Sequence, residues 1–340
     1  MTTGCSVPLT DSDLVAIGGA WEQSEEGKHI FSEIPRVIGS SIEDGFTGIT
    51  TYDLVDLAWA TNAGGGNYAW RPGMAIPAGE SIQTAEVTFR QKIERAEVLD
   101  RNLLSTRSRY ADLNNPLKSR LSQLMTGITY RLFSYLTNTG VFGAAKTFSG
   151  AALDTADYSN QKPITDIEAN LKALRDYQDG DRFQLWAILD RGSYDVLRGR
   201  PEYTGAGEGS NSSGMLPFDA FKERFAATHG LDKVLISRTT YNTAAQGATK
   251  ARGLGTPVIW FGIVDTRANG LDLSGGNSND LTTNPDGALV MSSGRNLATV
   301  RSQVYGDLGI ERFNPTCEFS FFSPRGSEMA CFYTGADIRS

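Results

Sequence analysis

An α+β protein is expected from this sequence on three grounds. A 22-residue amphipathic helix is written into residues 116–137, and segments with period-two alternation flank it on both sides. Helices and strands also fail to alternate in the regular order of a parallel α/β repeat, and no internal repeat is present. The 340 residues are ample for a substantial core. With 40% apolar and 21% charged residues, the composition is globular, neither disordered nor collagen-like.

Up to about residue 60 the chain holds short apolar pieces and no long periodic stretch. It reads as an extended arm with at most a short helix near residues 11–21. The Gly-rich GGGNYAWRPGMAIPAGE (64–80) follows as a loop, with turns at Pro72-Gly73 and Pro77-Ala78-Gly79. Residues 86–94 then alternate. Val87, Phe89 and Ile93 fall on one face, and Glu86, Thr88, Arg90, Lys92 and Glu94 on the other, the pattern of a half-buried strand. Residues 62–100 together predict a long two-stranded projection. An isolated hairpin is marginal in water, so such a projection is expected to lie on something.

Asn115-Pro116 predicts a helix start, with Asn as cap and Pro where a missing N–H costs nothing. Leu117, Leu121, Leu124, Ile128, Leu132 and Leu136 form one stripe, with Lys118, Arg120 and Arg131 off it. Ending before Gly140, the helix is roughly 33 Å long at ~1.5 Å per residue. A capping box, Thr165 with Glu168, predicts the start of a second helix bearing Ile167, Leu171 and Leu174, which ends at Asp179-Gly180-Asp181. FQLWAIL (183–189) reads as a buried strand, 194–198 as a short helix and 199–216 as a Gly/Ser loop. Pro217 opens a helix carrying Phe218, Phe221 and Phe225, followed by strands KVLIS (233–237) and PVIWFGIV (257–264). A polar loop (265–287) and strands near 297–305, 317–322 and 328–334 complete the chain.

The net charge of −7 is unevenly placed: residues 1–60 hold ten acids against two bases, whereas residues 61–140 hold ten bases against six acids. An acidic chain is a poor reader of duplex nucleic acid, whose affinity rests on phosphate neutralisation. The split predicts either a solvated acidic surface or pairing between an acidic arm and a basic neighbouring segment, in the same or another subunit. Three scattered cysteines (Cys5, Cys317, Cys331) make neither a disulfide framework nor a CxxC pair. Two histidines, His29 and His229, offer no ordinary zinc ligand set. The N-terminus lacks the basic region of a signal peptide, and the longest apolar run, 257–264, is too short to span a bilayer. A soluble protein made in a reducing compartment is expected.

Motifs for chemistry are missing. No Walker-A pattern or GxSxG elbow occurs, and Gly205, Gly207 and Gly209 do not complete GxGxxG. GGNSNDLTT (275–283) is a single imperfect copy of a calcium-binding nonapeptide and reads as a polar loop. His229, beside Gly230 at a predicted helix end, is expected to meet terminal carbonyls and not to act as a catalytic base. No catalytic residue, cofactor site or metal site is therefore expected; the two polar loops and the arm point to assembly or binding.

The order of parts resembles the major capsid proteins of tailed bacteriophages, with their Hong Kong 97-type fold. Three stretches carry the likeness. AIPAGESIQTAEVTFRQKIERAEVLDRNLL (75–104) is similar to the extended loop returning to a spine helix. ITDIEANLKALRDYQ with FQLWAILDRGSYDVLRGRPEY (164–203) is similar to the entry of the axial domain. KVLISRTTYNTAAQG…PVIWFGIVD (233–265) is similar to its paired strands with a Tyr-Asn turn between them. The resemblance covers most of residues 60–340. It implies an N-terminal arm (1–60), an extended β-hairpin loop (61–112) and a peripheral domain with the spine helix (113–163). An axial α/β domain (164–295), peripheral return strands (296–326) and a closing axial strand (327–340) follow.

The function so implied is a structural head protein, not an enzyme, that self-assembles into hexamers and pentamers of an icosahedral shell around packaged double-stranded DNA. Its partners would be copies of itself, a scaffolding protein, a portal, DNA held non-specifically and, as an optional addition, a decoration protein, without a membrane. It would assemble in the bacterial host cytoplasm and reside in the virion capsid. Arg90, Lys92, Arg95, Arg101, Arg107 and Arg109 are the expected inter-subunit contacts, paired with arm acids Glu22, Glu25, Glu26 and Glu33 of a neighbour. Lys92 lies in the candidate loop without a flanking cross-linking motif, so no covalent cross-link is expected. A nanocompartment shell of the same fold is the alternative. A virion attachment or carbohydrate-binding module would need many short strands and exposed aromatics, and the long helix stands against it.

Overall fold

The computed structural model describes residues 29–38, 47–52, 84–89, 92–95, 98–100, 109–154, 160–178, 181–204, 215–239, 241–242, 252–253, 257–268, 286–305 and 310–338. The arm before His29, the Gly-rich loop 64–80 and most of both long polar loops lie outside these residues. A 3-10 turn at Ile30–Glu33 leads into β1 (Arg36–Ile38). Next come β2 (Thr47–Tyr52), β3 (Thr84–Phe89), β4 (Lys92–Arg95) and β5 (Val98–Asp100). The helix α1 runs over Arg109–Leu136, and α2 over Pro163–Arg175. Strand β6 (Phe183–Leu189), α3 (Arg191–Leu197), α4 (Phe218–His229) and β7 (Lys233–Ile236) follow. The short pair β8 (Tyr241–Asn242) and β9 (Arg252–Gly253) precedes β10 (Val258–Asp265). Long strands β11 (Val290–Tyr305) and β12 (Ile310–Phe322) lead to β13 (Ala330–Thr334).

Two sheets organise the chain. In the first, β1 runs parallel to β11, β11 is antiparallel to β12, and β4 and β5 share the far edge of β12. The gap between β4 and β5 falls opposite Asn314 and Pro315, where proline offers no N–H to a neighbour. In the second sheet the order is β13-β10-β6-β7, antiparallel except for the parallel β6–β7 pair. All eight residues of β10 and six of seven in β6 are buried, which is why both segments read as continuous apolar runs and not as alternations. Phe261 of β10 stacks on Phe225 of α4 at 6.3 Å on one face, and Trp260 meets Phe142 edge-on at 5.8 Å on the other. The stripe Leu121, Leu124, Ile128, Leu132 and Leu136 of α1 is buried in the same continuous core as Ile167, Leu171 and Leu174 of α2.

Several sequence expectations need correction. Helix α1 begins at Arg109, so Asn115 is no cap and Pro116 lies inside the helix. Proline's fixed φ is itself helical, and the helix passes through it at the loss of one backbone hydrogen bond. The capping box at Thr165 does not form: α2 starts at Pro163, needing no N–H partner there, and its cap position Lys162 makes no side-chain cap bond. The alternation over 86–94 is divided between β3, which pairs with β2, and β4, which pairs with β12. Period two reports the faces of a strand and is silent on its neighbours. Strands 233–236 and 258–265 do not pair with each other, because β6 lies between them. The short helix near 194–198 begins at Arg191, since Asp190 caps it.

Candidate functional site

The end of α4 carries a buried polar cluster. Gly230, at φ 57°, terminates the helix in the left-handed conformation and leaves His229 as its last residue. The His229 side chain is fully buried, with Nδ1 2.9 Å from Glu168 Oε1 of α2 and Nε2 2.9 Å from the Tyr203 hydroxyl. A neutral imidazole satisfies both partners when Nδ1–H donates to the carboxylate and Nε2 accepts from the phenol. Arg175 closes the ring, bridging Glu168 at 2.7 Å and donating to the His229 carbonyl at 2.9 Å. Thus the helix-end position of His229 is as expected, but the terminal carbonyl is met by Arg175 and not by the imidazole.

The cluster has the connectivity of a hydroxyl–base–carboxylate chain. Tyr203, however, is fully buried, so its hydroxyl has no access to a substrate and the chain acts as a packing element. Burial raises the Tyr203 pKa, keeping the phenol protonated. Burial also lowers the pKa of His229, against the opposing pull of Glu168. Unfolded His229 therefore takes up its proton at a higher pH than folded His229. Stability is full above the unfolded pKa of about 6.5 and falls as the pH drops below it towards the folded value. His29, whose pKa burial also lowers, acts in the same direction. The thermal midpoint is expected to decline from pH 7 to pH 5, and less steeply in His229→Gln. A midpoint that rises on acidification would contradict this linkage.

A groove of about 810 Å3 is lined by the segment at 29–33, α1, α4 and the end of β7. Its lining includes His29 and Ser32, Ser122 and Thr126 of α1, Lys222 of α4, and Arg238 after β7. Phe218, also lining it, carries both cations: the Arg238 guanidinium lies 3.8 Å and the Lys222 ammonium 5.2 Å from its ring centroid. Glu33, a groove acid, is engaged by Lys233 at 3.0 Å, and Lys233 itself lies over Trp186 at 4.4 Å. Lys222 and Arg238 form no ion pair among the described residues. Sequence reasoning missed both. The Phe218/Lys222 pair at i, i+4 was legible as one helix face, but Arg238 arrives from the end of β7 and only folding brings it there.

Of the expected contact residues, Glu33 is thus paired within its own chain. Lys92 and Arg95 stand on β4, and Arg109 opens α1. Arg90, Arg101, Arg107, Glu22, Glu25 and Glu26 lie outside the described residues. Among the described residues no group of three His, Cys, Asp or Glu side chains is placed to hold a metal ion, and no helix is long and apolar enough to cross a membrane.

No protein-family model matches the chain, and no curated protein matches it by sequence. Among solved structures, its fold is similar to that of a phage-related protein from Bordetella bronchiseptica RB50. The TM-score is 0.57 at 10% identity, over 98% of this chain and 100% of that one. Weaker likenesses reach the mature capsid of bacteriophage PhiM1 (TM-score 0.49, 10% identity, 92% of this chain and 88% of that one) and a virus-like particle from Pyrococcus furiosus (0.48, 9%, 95% and 97%). The structure therefore has an α+β fold shared over nearly the whole of both chains with that phage-related protein.

Proposed function

We propose that the chain is a shell subunit, the major capsid protein of a tailed bacteriophage. The observation that carries this reading is the full-length fold likeness to the phage-related protein, which extends over both chains with almost nothing left over. In this reading copies assemble into hexamers and pentamers of a closed shell, and the subunit performs no catalysis. A scaffolding protein aids assembly in the bacterial cytoplasm, a portal admits DNA, and the finished virion holds that DNA without reading its sequence. A decoration protein is an optional addition to the outside. Between neighbours, the acids of the first 60 residues meet the basic run Arg90 to Arg109, whose opposite charges are already visible in the sequence.

Expression of the chain followed by sedimentation and electron microscopy tests the proposal. Closed shells, tubes or capsomers of megadalton mass are expected. A persistent monomer at high concentration, even with a scaffolding partner supplied, would overturn it. Shells that form around protein cargo and exclude DNA would favour a nanocompartment instead.

A further inference from the structure

Strand β7 is an edge of its sheet, with β6 as its one strand partner among the described residues. Five consecutive residues, from Leu235 in the strand to Thr239 beyond it, line the groove. Side chains on extended chain alternate between faces, so such a run can border one groove only along its backbone edge. The hydrogen bonding agrees. The Ser237 N–H donates to the Leu189 carbonyl of β6 at 2.9 Å, and successive residues of a strand turn their backbone groups to opposite sides. Ile236 and Arg238 therefore direct theirs away from β6, along the groove.

The two faces of this edge differ in chemistry. Phe261, Ala187 and Val234 stand in register across β10, β6 and β7, and Phe261 packs on Phe225 of α4. By period two, Ile236 and Arg238 share that face. The Arg238 guanidinium accordingly lies over Phe218 of α4, with the Lys222 ammonium at the same ring. Leu235 and Ser237 share the opposite face with Lys233, which reaches Glu33 at 3.0 Å. A strand laid along β7 would thus meet two cations on the α4 side. On the other side it would meet Ile30 and an acid, Glu33, that Lys233 already neutralises.

We propose that the open edge of β7 is a strand-addition site for an extended segment of another protein in which acidic and apolar residues alternate. The backbone of that segment pairs with Ile236 and Arg238. Its carboxylates lie towards Lys222 and Arg238, and its apolar side chains towards Ile30. Glu33 sharpens the choice, because it repels a carboxylate on its own side and so favours alternation over a uniformly acidic partner. The site stands whether or not the chain forms shells.

Fluorescence anisotropy of a labelled hexapeptide of alternating Glu and Val, titrated with the full-length chain, tests it. Saturable binding is expected. A hexapeptide of alternating Lys and Val should bind about tenfold more weakly, the factor that two partly exposed ion pairs supply together. In Lys222→Glu with Arg238→Glu that preference should reverse at an unchanged thermal midpoint. An N-methylated Glu–Val peptide keeps the side chains but lacks the backbone donors, and it should not bind. On binding, hydrogen exchange of the Ile236 and Arg238 amides should slow more than that of Ser237, whose N–H is already held by Leu189. Absence of binding at about 1 mM Glu–Val peptide would overturn the proposal. Equal binding of the N-methylated peptide, or a charge preference unmoved in the double variant, would do so too. Protection of Ile236 and Arg238 that grows with protein concentration in the absence of peptide would overturn it as well, since a second copy would then be the occupant. Shells formed by a chain that ignores the peptide would leave the capsid reading intact, and peptide binding by a persistent monomer would do the reverse.

Discussion

Asp190→Ala is expected to destabilise the protein by about 3–5 kcal/mol, read as a drop in the thermal or denaturant midpoint. Asp190 stands where β6 ends and α3 begins, with only 6% of its surface exposed. One carboxylate oxygen accepts from the Ser193 N–H at 3.0 Å, the Ser193 hydroxyl at 2.6 Å and the Val258 N–H at 2.8 Å. The other accepts from the Gly192 N–H at 2.8 Å. One side chain thus caps a helix and fixes the first residue of β10 against β6. Burial pushes its pKa up, and these four donors pull it back. Alanine would strand three buried amide donors, each costing about 1–3 kcal/mol, with partial relief from any water that enters. Asp190→Asn keeps one acceptor oxygen but turns an NH2 towards the Gly192 N–H, so a smaller loss of about 1–3 kcal/mol is expected. Equal losses in the two variants would show that the acceptor geometry is not what matters.

Gly262→Val should cost about 3 kcal/mol, at the top of the ordinary range for overpacking. Gly262 lies in β10 on the same face as Trp260, and a Cβ placed there would collide with the Trp260 indole and stand 3.1 Å from Ala330 Cβ on β13. The indole cannot swing aside freely, being fully buried and braced edge-on by Phe142. The two positions therefore form one packing unit. In a Trp260→Leu background the valine should be far less harmful, and a double-mutant cycle should return a coupling of about 1–3 kcal/mol. Additive effects would mean that the ring does not define the space at Gly262.

The sheet core was legible because it depends on local composition. FQLWAIL and PVIWFGIV are apolar throughout, and only strands covered on both faces carry such runs. The stripe of α1 was equally clear from its spacing. Its beginning was not, since Asn115-Pro116 carries the signature of a helix start and sits within a helix that begins at Arg109. Glu168 was misread for a related reason: it has the spacing of a capping partner, yet a fully buried histidine from α4 takes its carboxylate. Strand partners were harder still. Nothing in KVLIS or PVIWFGIV states that FQLWAIL will separate them. The groove combines residues from the segment at 29–33, α1, α4 and the end of β7, so its two cations carry no sequence signature as a pair.

The order of the sheet strands also sets a timetable for synthesis. β13 completes the edge of β10 from 65 residues further along the chain, and β1 finds its parallel partner β11 only after some 250 more residues have been made. At roughly 5–20 residues per second, a ribosome leaves the β10 edge open for ~3–13 s and β1 unpaired for ~13–50 s. Throughout that time the nascent chain offers an apolar strand edge to any other nascent copy nearby. The nascent chain thus meets its greatest hazard of wrong pairing while still attached to the ribosome, until β11 covers β1 and β13 covers the edge of β10.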